Sequence, residues 1–199
     1  SNPMPFEHGS ISFRIFRLAR PLPDDYIERF AAHAAPPLAS AADSSTTGWV
    51  TGRHLLDRDI KDETAHHAGV LRLALLEVER KIPASLLKAE CRMEELAVMA
   101  AEGKTYLKAP EKAEIKRSIE DRLRPQMPPT LKGIPFVHQP GRDTLYGTAL
   151  SVKQSDLLCT RFVNTMGYSL LPCTPEFLAM DMDKGSDPRD WSPSSFSPD

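Results

Sequence analysis

The sequence predicts an α+β protein in which short antiparallel sheets pack with helices and an antiparallel helical hairpin projects. Apolar and polar residues alternate over residues 11–18, as in a strand with one buried face. Between residues 86 and 123, apolar residues instead recur every three or four positions, which is typical of helices. With 199 residues, 41% of them apolar, the chain is long enough for one or two domains with an ordinary core.

The first strand, over residues 11–18, is predicted to end before Pro21. A helix follows, because Tyr26 and Phe30 have helical spacing and Pro36 stops the pattern. This helix is expected to be short.

A short strand is predicted at residues 48–50, where Trp49 is expected to anchor the core or a domain junction rather than stack on a base. Residues 53–67 are polar and are predicted to be irregular. Residues 70–78 have the apolar density of a central strand.

Two helices are predicted to form the antiparallel hairpin. The first opens after Pro83 and stops at Gly103, and the second begins near Pro110 and ends before Pro125. Each has an apolar stripe, and the two stripes are expected to face one another. The stripes are Leu86, Ala89, Met93, Leu96 and Ala100 on the first helix and Ile115, Ile119 and Leu123 on the second.

Beyond the hairpin, residues 134–139 and 144–150 are predicted to form a β-hairpin around a turn-rich interval. Ser151 and Gln154 match a capping box that opens a helix, and Gly167 is placed to stop it.

These elements predict three regions. An α+β body comprises residues 3–82 and 130–180, with a last strand over residues 168–171. The helical-hairpin tip comprises residues 83–129, and residues 181–199 are predicted to be a polar tail or truncated linker.

Charge is unevenly distributed along the chain. The net charge is −2, but residues 80–132 contain twelve Lys and Arg against eight Asp and Glu. Four lysines recur at four-residue intervals: Lys104, Lys108, Lys112 and Lys116. A basic helical surface of this kind suits a polyanion, and it equally suits a solvated face that forms ion pairs four residues apart.

Cys91, Cys159 and Cys173 lack the Cys-x-x-Cys spacing of a zinc site and are predicted to be reduced thiols of a cytosolic protein. No apolar run approaches the roughly 18 residues that span a bilayer, and no secretory signal pattern is visible.

Polar residues between positions 54 and 67 are the main support for an enzymatic alternative. They are potential ligands of a hard metal ion, or general bases: His54, Asp57, Asp59, Asp62, Glu63, His66 and His67. Because they occupy one polar loop without a recognised ligand spacing, we expect exposure rather than catalysis, and we predict no catalytic residue, metal or other cofactor.

Several short motifs occur in an order and spacing that resemble the recombination-associated protein RdgC family. The similarity covers most of residues 11–175. Its motifs are Phe13-Arg14-Ile15-Phe16-Arg17-Leu18, the loop entering Gly48-Trp49-Val50, Glu79-Arg80-Lys81-Ile82-Pro83, Leu87-Lys88, Glu111-Lys112 with Ile115-Lys116, and Leu123-Arg124-Pro125.

The resemblance implies a cytoplasmic, nucleoid-associated protein that binds double-stranded DNA with little sequence preference and restrains the RecA recombinase. It also implies a homodimer with no membrane association, in which hairpin tips meet. Met127 and Pro128 stand near the family's tip-contact position, where an aromatic residue is common. The residues predicted to contact DNA are Lys88, Arg92, Lys104, Lys108, Lys112, Lys116 and Arg117. The alternatives are a metal-dependent exonuclease and a module that docks an acidic protein partner.

Overall fold

The computed structural model describes residues 13–40, 45–148 and 150–173, which adopt an α+β fold. The strands are β1 (Phe13–Leu18), β2 (Ser45–Thr51), β3 (His66–His67), β4 (Val70–Glu79), β5 (Thr130–His138), β6 (Thr144–Thr148) and β7 (Leu170–Pro172). The helices are α1 (Tyr26–Ala32), α2 (Asp62–Ala65), α3 (Ala84–Glu102), α4 (Ala109–Leu123) and α5 (Val152–Met166). Single 3₁₀ turns occur at Leu38–Ser40 and Arg124–Gln126.

Within the described residues, all seven strands join one sheet instead of several short ones. The strand order is β2-β4-β5-β6-β1-β7, and β3 pairs with β4. β1 is antiparallel to β6, with Phe13 opposite Thr148, and also antiparallel to β7, with Leu18 opposite Leu170. Local sequence patterns do not reveal such pairings, because the partners lie more than 100 residues apart.

Contacts divide the described residues into two compact units. The sheet unit comprises residues 13–35, 48–76 and 133–173, and the hairpin unit comprises residues 36–40, 45–47 and 77–132.

An aromatic cluster occupies the core of the sheet unit. The Trp49 side chain is 1% exposed, and its ring centroid lies 5.0 Å from that of Phe30 and 5.6 Å from that of Phe136, both in edge-on geometry. Its indole Nε1 donates a hydrogen bond to Thr165 Oγ1 at 2.8 Å, which satisfies the buried donor. The predicted core role of Trp49 is therefore confirmed.

The predicted start and stop signals of α5 are also confirmed. Ser151 Oγ accepts a hydrogen bond from the Gln154 backbone N–H at 3.2 Å, and Gln154 Oε1 accepts one from the Ser151 N–H at 3.0 Å. Gly167 ends the helix with a φ of +82°, a conformation that favours glycine.

The prediction that residues 53–67 are irregular is only partly right, since this segment contains α2 and β3. Both elements are too short to produce a periodic apolar pattern. The predicted β-hairpin is confirmed as antiparallel β5 and β6, and the predicted central strand is β4. Ile11 and the predicted tail at residues 181–199 lie outside the described residues.

Among the described residues, no helix has both the length and the apolar character needed to cross a membrane.

Candidate nucleic-acid interface

The α3–α4 hairpin has the antiparallel geometry that the sequence predicts. α3 ends at Gly103, whose φ of +64° turns the chain, and α4 begins after Lys108. Glu90, near the start of α3, accepts a hydrogen bond at 2.9 Å from Arg122, near the end of α4. The helices therefore run in opposite directions, and the connecting turn, residues 103–108, forms the tip of the hairpin.

The predicted apolar stripe of α4 is confirmed as its packing face. Ile119 and Leu123 are buried and Ile115 is half-buried. At the tip, Leu107 is buried as well, so the turn is anchored by an apolar side chain.

The predicted stripe of α3 is wrong. Met93 and Leu96 are 62% and 50% exposed, and Ala89 and Ala100 are exposed too. The half-buried apolar residues of α3 are instead Leu87, Cys91, Val98 and Met99, with Leu86 at its start. Cys91 lies close enough to Lys116 and Glu120 of α4 for their charges to act on its thiol, although burial is the main reason that the pKa of Cys91 is raised. α3 is apolar on two sides, and helical spacing alone does not show which side meets α4.

The four periodic lysines are exposed, as predicted. Lys112 and Lys116, the two that lie within α4, do not occupy the face opposite its apolar stripe, however. At 3.6 residues per turn, Lys112 and Lys116 lie within roughly 60° of Ile119 around the helix axis. They therefore border the packed face of α4.

Ion pairs divide the predicted DNA-contacting residues into two groups. Lys104 contacts Glu102 at 2.8 Å and Glu111 at 3.2 Å, and these hydrogen bonds raise its pKa. Lys116 lies 4.0 Å from Glu120, and Arg117 lies 3.4 Å from Glu114. Each of these three cations is partly compensated by a carboxylate.

The other four are exposed and have no ion-pair partner within the part of the chain that the structure describes: Lys88, Arg92, Lys108 and Lys112. Lys88 and Arg92 are four residues apart on α3, and Lys108 and Lys112 are four residues apart at the start of α4. Lys88 and Arg92 therefore project from the same side of α3, whereas Lys108 is the extended residue that precedes α4 and Lys112 lies within that helix. The hairpin thus presents four uncompensated cations.

The local positive excess does not come from the hairpin helices themselves. Residues 84–123 contain eight Lys and Arg and eight Asp and Glu. The excess over residues 80–132 is supplied by Arg80, Lys81, Arg124 and Lys132, which lie before α3 and after α4.

These flanking cations have structural partners. Lys81 and Lys132 lie 3.3 Å and 3.6 Å from the buried Glu79 carboxylate, whose pKa is held below its ordinary value by a hydrogen bond with Glu77 and another with Lys81. Arg124 binds Glu120 at 3.2 Å. The net charge of the segment therefore overstates the cationic surface available to a ligand.

Met127 and Pro128 lie at the base of the hairpin and not at its tip. They follow the Arg124–Gln126 turn after α4, and the Met127 carbonyl accepts a hydrogen bond from Arg80. Because the tip is the turn at residues 103–108, the tip contact predicted for Met127 and Pro128 is wrong for this hairpin.

Tyr106 is the feature of the tip that the sequence analysis missed. Its side chain is 69% exposed, and it lies between Lys104 and Lys108 in the turn. These three residues line a shallow cleft with Gly103, Thr105 and Glu111. An aromatic residue between lysines is typical of surfaces on which nucleic-acid bases stack, and this spacing was visible in the sequence.

The polar residues of positions 54–67 have separate partners. Asp57 is buried and accepts hydrogen bonds from Thr51 and, at 2.7 Å, from Arg53. Burial alone would raise its pKa, but these hydrogen bonds outweigh burial and lower it. Asp59 pairs with Lys61 at 3.0 Å, and His66 Nε2 lies 2.6 Å from the Tyr26 hydroxyl. Within the described residues, no three His, Cys, Asp or Glu side chains converge as metal ligands.

Comparison of the chain with protein-family models and with curated proteins produced no match.

Proposed function

We propose that this chain is a non-catalytic protein that binds double-stranded DNA without sequence preference through its α3–α4 hairpin. The observation that supports this function best is the set of exposed cations that have no carboxylate partner among the described residues: Lys88, Arg92, Lys108 and Lys112. Phosphates attract such cations regardless of the base sequence, because contacts to the backbone do not read the bases.

Modulation of homologous recombination, by limiting RecA access to DNA, is the cellular role that we propose for this binding. Homodimer formation and a cytoplasmic, nucleoid-associated location belong to the same proposal. These three features rest on the resemblance to the RdgC family, and not on contacts within this chain. A dimer would join two hairpins and raise the apparent affinity through effective concentration.

The DNA-binding surface is tested by fluorescence anisotropy with two labelled duplexes of unrelated sequence over a salt series that starts at low ionic strength. Lys108→Gln combined with Lys112→Gln should weaken binding to both duplexes alike. If both lysines contact phosphates, the logarithmic salt slope should fall by about 1.8, since each contact contributes about 0.9.

The matched control is Lys153→Gln combined with Arg161→Gln, which removes the same charge from exposed positions on α5. It should leave the slope unchanged. Equal losses in both double variants would mean that net charge, and not the hairpin, determines the affinity. An unchanged affinity in folded Lys108/Lys112 protein would remove the start of α4 from the interface.

Docking of an acidic protein partner is a second candidate function, and the surface of α3 favours it. Leu96 lies four residues after Arg92 and is half exposed, and Met93 is more exposed still. Arg and Met next to apolar area are enriched at protein interfaces. Met93→Ser combined with Leu96→Ser should leave duplex affinity unchanged if phosphates are the ligand, but it should abolish capture of an acidic protein that uses this side of α3.

A further inference from the structure

A cleft in the sheet unit contains a cluster of cationic groups that DNA binding by the hairpin does not use. Its volume is about 510 Å³, within the usual range for small-molecule sites. One wall is the segment after β1, and the other is the turn between β5 and β6. The lining residues are Arg17, Leu18, Ala19, Arg20, Pro21, Leu22, Tyr26, His138, Pro140, Gly141, Arg142 and Asp143.

Hydrogen bonds hold the two walls together. The Leu18 N–H donates to the Asp143 carbonyl at 2.7 Å, and Arg17 Nη2 donates to the Asp143 carboxylate at 2.8 Å. The second wall turns at Gly141, whose φ is +85°, and the Arg142 N–H donates to the Gln139 carbonyl at 3.1 Å. The cleft is therefore formed before any ligand enters, which lowers the entropic cost of binding.

The lining has an excess of positive charge. Three arginines and one aspartate contribute, and Asp143 is neutralised by its ion pair with Arg17. Arg20 is exposed and has no ion-pair partner among the described residues. Guanidinium groups bind phosphate oxygens through paired N–H donors, so arginine is well suited to anionic phosphate.

His138 adds a buried polar group to the same cleft. Its side chain is 3% exposed, and Nδ1 lies 2.9 Å from the Thr144 carbonyl. Because a carbonyl only accepts, Nδ1 bears the proton and Nε2 is left without a protein partner in the described structure. Nε2 can accept from the hydroxyl of a monoprotonated phosphate or, once protonated, donate to a phosphate oxygen.

We propose that this cleft binds the phosphate group of a phosphorylated molecule, with Arg20, Arg142 and His138 as its polar contacts. Leu18, Pro21 and Leu22 supply apolar lining beside these groups, and the volume leaves space for an attached organic moiety about the size of a nucleoside. Such a phosphate belongs either to a small molecule or to a nucleic-acid end or backbone, and the shared chemistry is the phosphate itself.

Isothermal titration of the full chain with pyrophosphate and with AMP tests this site. Both probes should bind saturably. Arg20→Gln should weaken binding about tenfold or more, as expected for loss of one charge-assisted hydrogen bond. Arg20→Lys should restore part of the affinity, whereas Arg161→Gln, which removes an exposed arginine from α5, should match the wild type.

His138→Gln should also weaken binding of both probes, and the exposed Arg20 provides the test if the buried substitution prevents folding. Absence of saturable binding by the wild-type chain would overturn the site, as would equal affinities of the Arg20→Gln and Arg161→Gln variants.

A short duplex added in competition with AMP identifies the source of the phosphate. Displacement of AMP assigns the phosphate to nucleic acid, and retention of AMP assigns it to a free small molecule.

Discussion

Whether a buried polar side chain of this protein is stable in its charged or polar form depends on the hydrogen-bond partners around it. Asp57 remains charged inside the sheet unit because Arg53 and Thr51 donate to it, and Trp49 is tolerated in the core because Thr165 accepts its N–H. His138 differs from both. Within the described part of the chain, only its Nδ1 has a protein partner, and burial lowers the pKa of His138 despite the opposing hydrogen bond with the Thr144 carbonyl.

The lowered pKa of His138 predicts a loss of stability in mild acid. Above a pH of about 6.5, the ordinary pKa of histidine, the ring is neutral in both folded and unfolded chains and contributes no pH dependence. As the pH falls below that value, the unfolded chain takes up the proton first, so the free energy of unfolding decreases until the folded pKa is passed. The other charged residues that line the same cleft are Arg17, Arg20, Arg142 and Asp143, but burial is the cause of the lowered pKa of His138.

Urea denaturation in phosphate-free buffer at pH 8 and pH 5.5 measures this effect. The His138→Gln variant should lose less stability between the two values than the wild type. His67→Gln, a substitution at an exposed position, serves as the control and should retain the wild-type loss. An undiminished loss in the His138→Gln variant would show that other groups cause the pH dependence.

Helix packing in the hairpin depends on one stripe of α4 and on a side of α3 that is only half-buried. No residue of α3 is fully buried, whereas α4 buries Ile119 and Leu123. An ion pair between Glu90 and Arg122 also joins the two helices.

The two helices should therefore respond differently to the loss of an apolar side chain. Ile119→Ala should reduce the free energy of unfolding by about 2–5 kcal/mol, because it leaves a cavity at a site that is 5% exposed. Leu96→Ala should change it by no more than about 0.5 kcal/mol, since half of that side chain is already in water. Chemical denaturation of both variants measures the difference, and similar losses would place Leu96 in a buried interface.

Local signals in the sequence predicted several elements of this fold correctly, and they failed where the outcome depends on tertiary contacts. Gly103, Gly167 and the Ser151–Gln154 capping box act within a few residues, so they identify helix ends directly. The single sheet depends on pairing β1 with β6 and β7, and the packed side of α3 depends on α4. In the candidate interface, helical periodicity identified the exposed lysines. The four-residue spacing also indicated the pairs of Lys116 with Glu120 and of Glu120 with Arg124, which the structure confirms. It did not predict that Lys104 would pair with Glu102 or Arg117 with Glu114, because several carboxylates lie within reach of each cation.

At the scale of the whole molecule, net charge is a poor guide to the surface that meets a polyanion. The chain is slightly acidic, and the cations that give residues 80–132 their excess are mostly engaged at the base of the hairpin. The proposed DNA binding relies on a few uncompensated cations, and since each phosphate contact contributes about 0.9 to the logarithmic salt slope, the slope should be small. The net charge likewise does not reveal the three arginines that line the cleft of the sheet unit.

The distribution of carboxylates and histidines likewise predicts that the chain does not degrade DNA. Metal-dependent hydrolysis requires carboxylates that converge on one or two ions, as two-metal nucleases do. Here Asp57 is engaged by Arg53 and Thr51, and Asp59 by Lys61, so the acidic residues of this loop are held by different neighbours. End-labelled single- and double-stranded DNA incubated with the chain and Mg²⁺ or Mn²⁺ should therefore keep its length.

Asp59→Asn combined with Asp62→Asn is the informative variant. Both positions are exposed, so their replacement should leave the fold intact, whereas Asp57→Asn would disturb a buried ion pair. Cleavage by the wild type that disappears in this double variant would establish a nuclease and overturn the non-catalytic function. Cleavage equal in both proteins would show that Asp59 and Asp62 do not carry it.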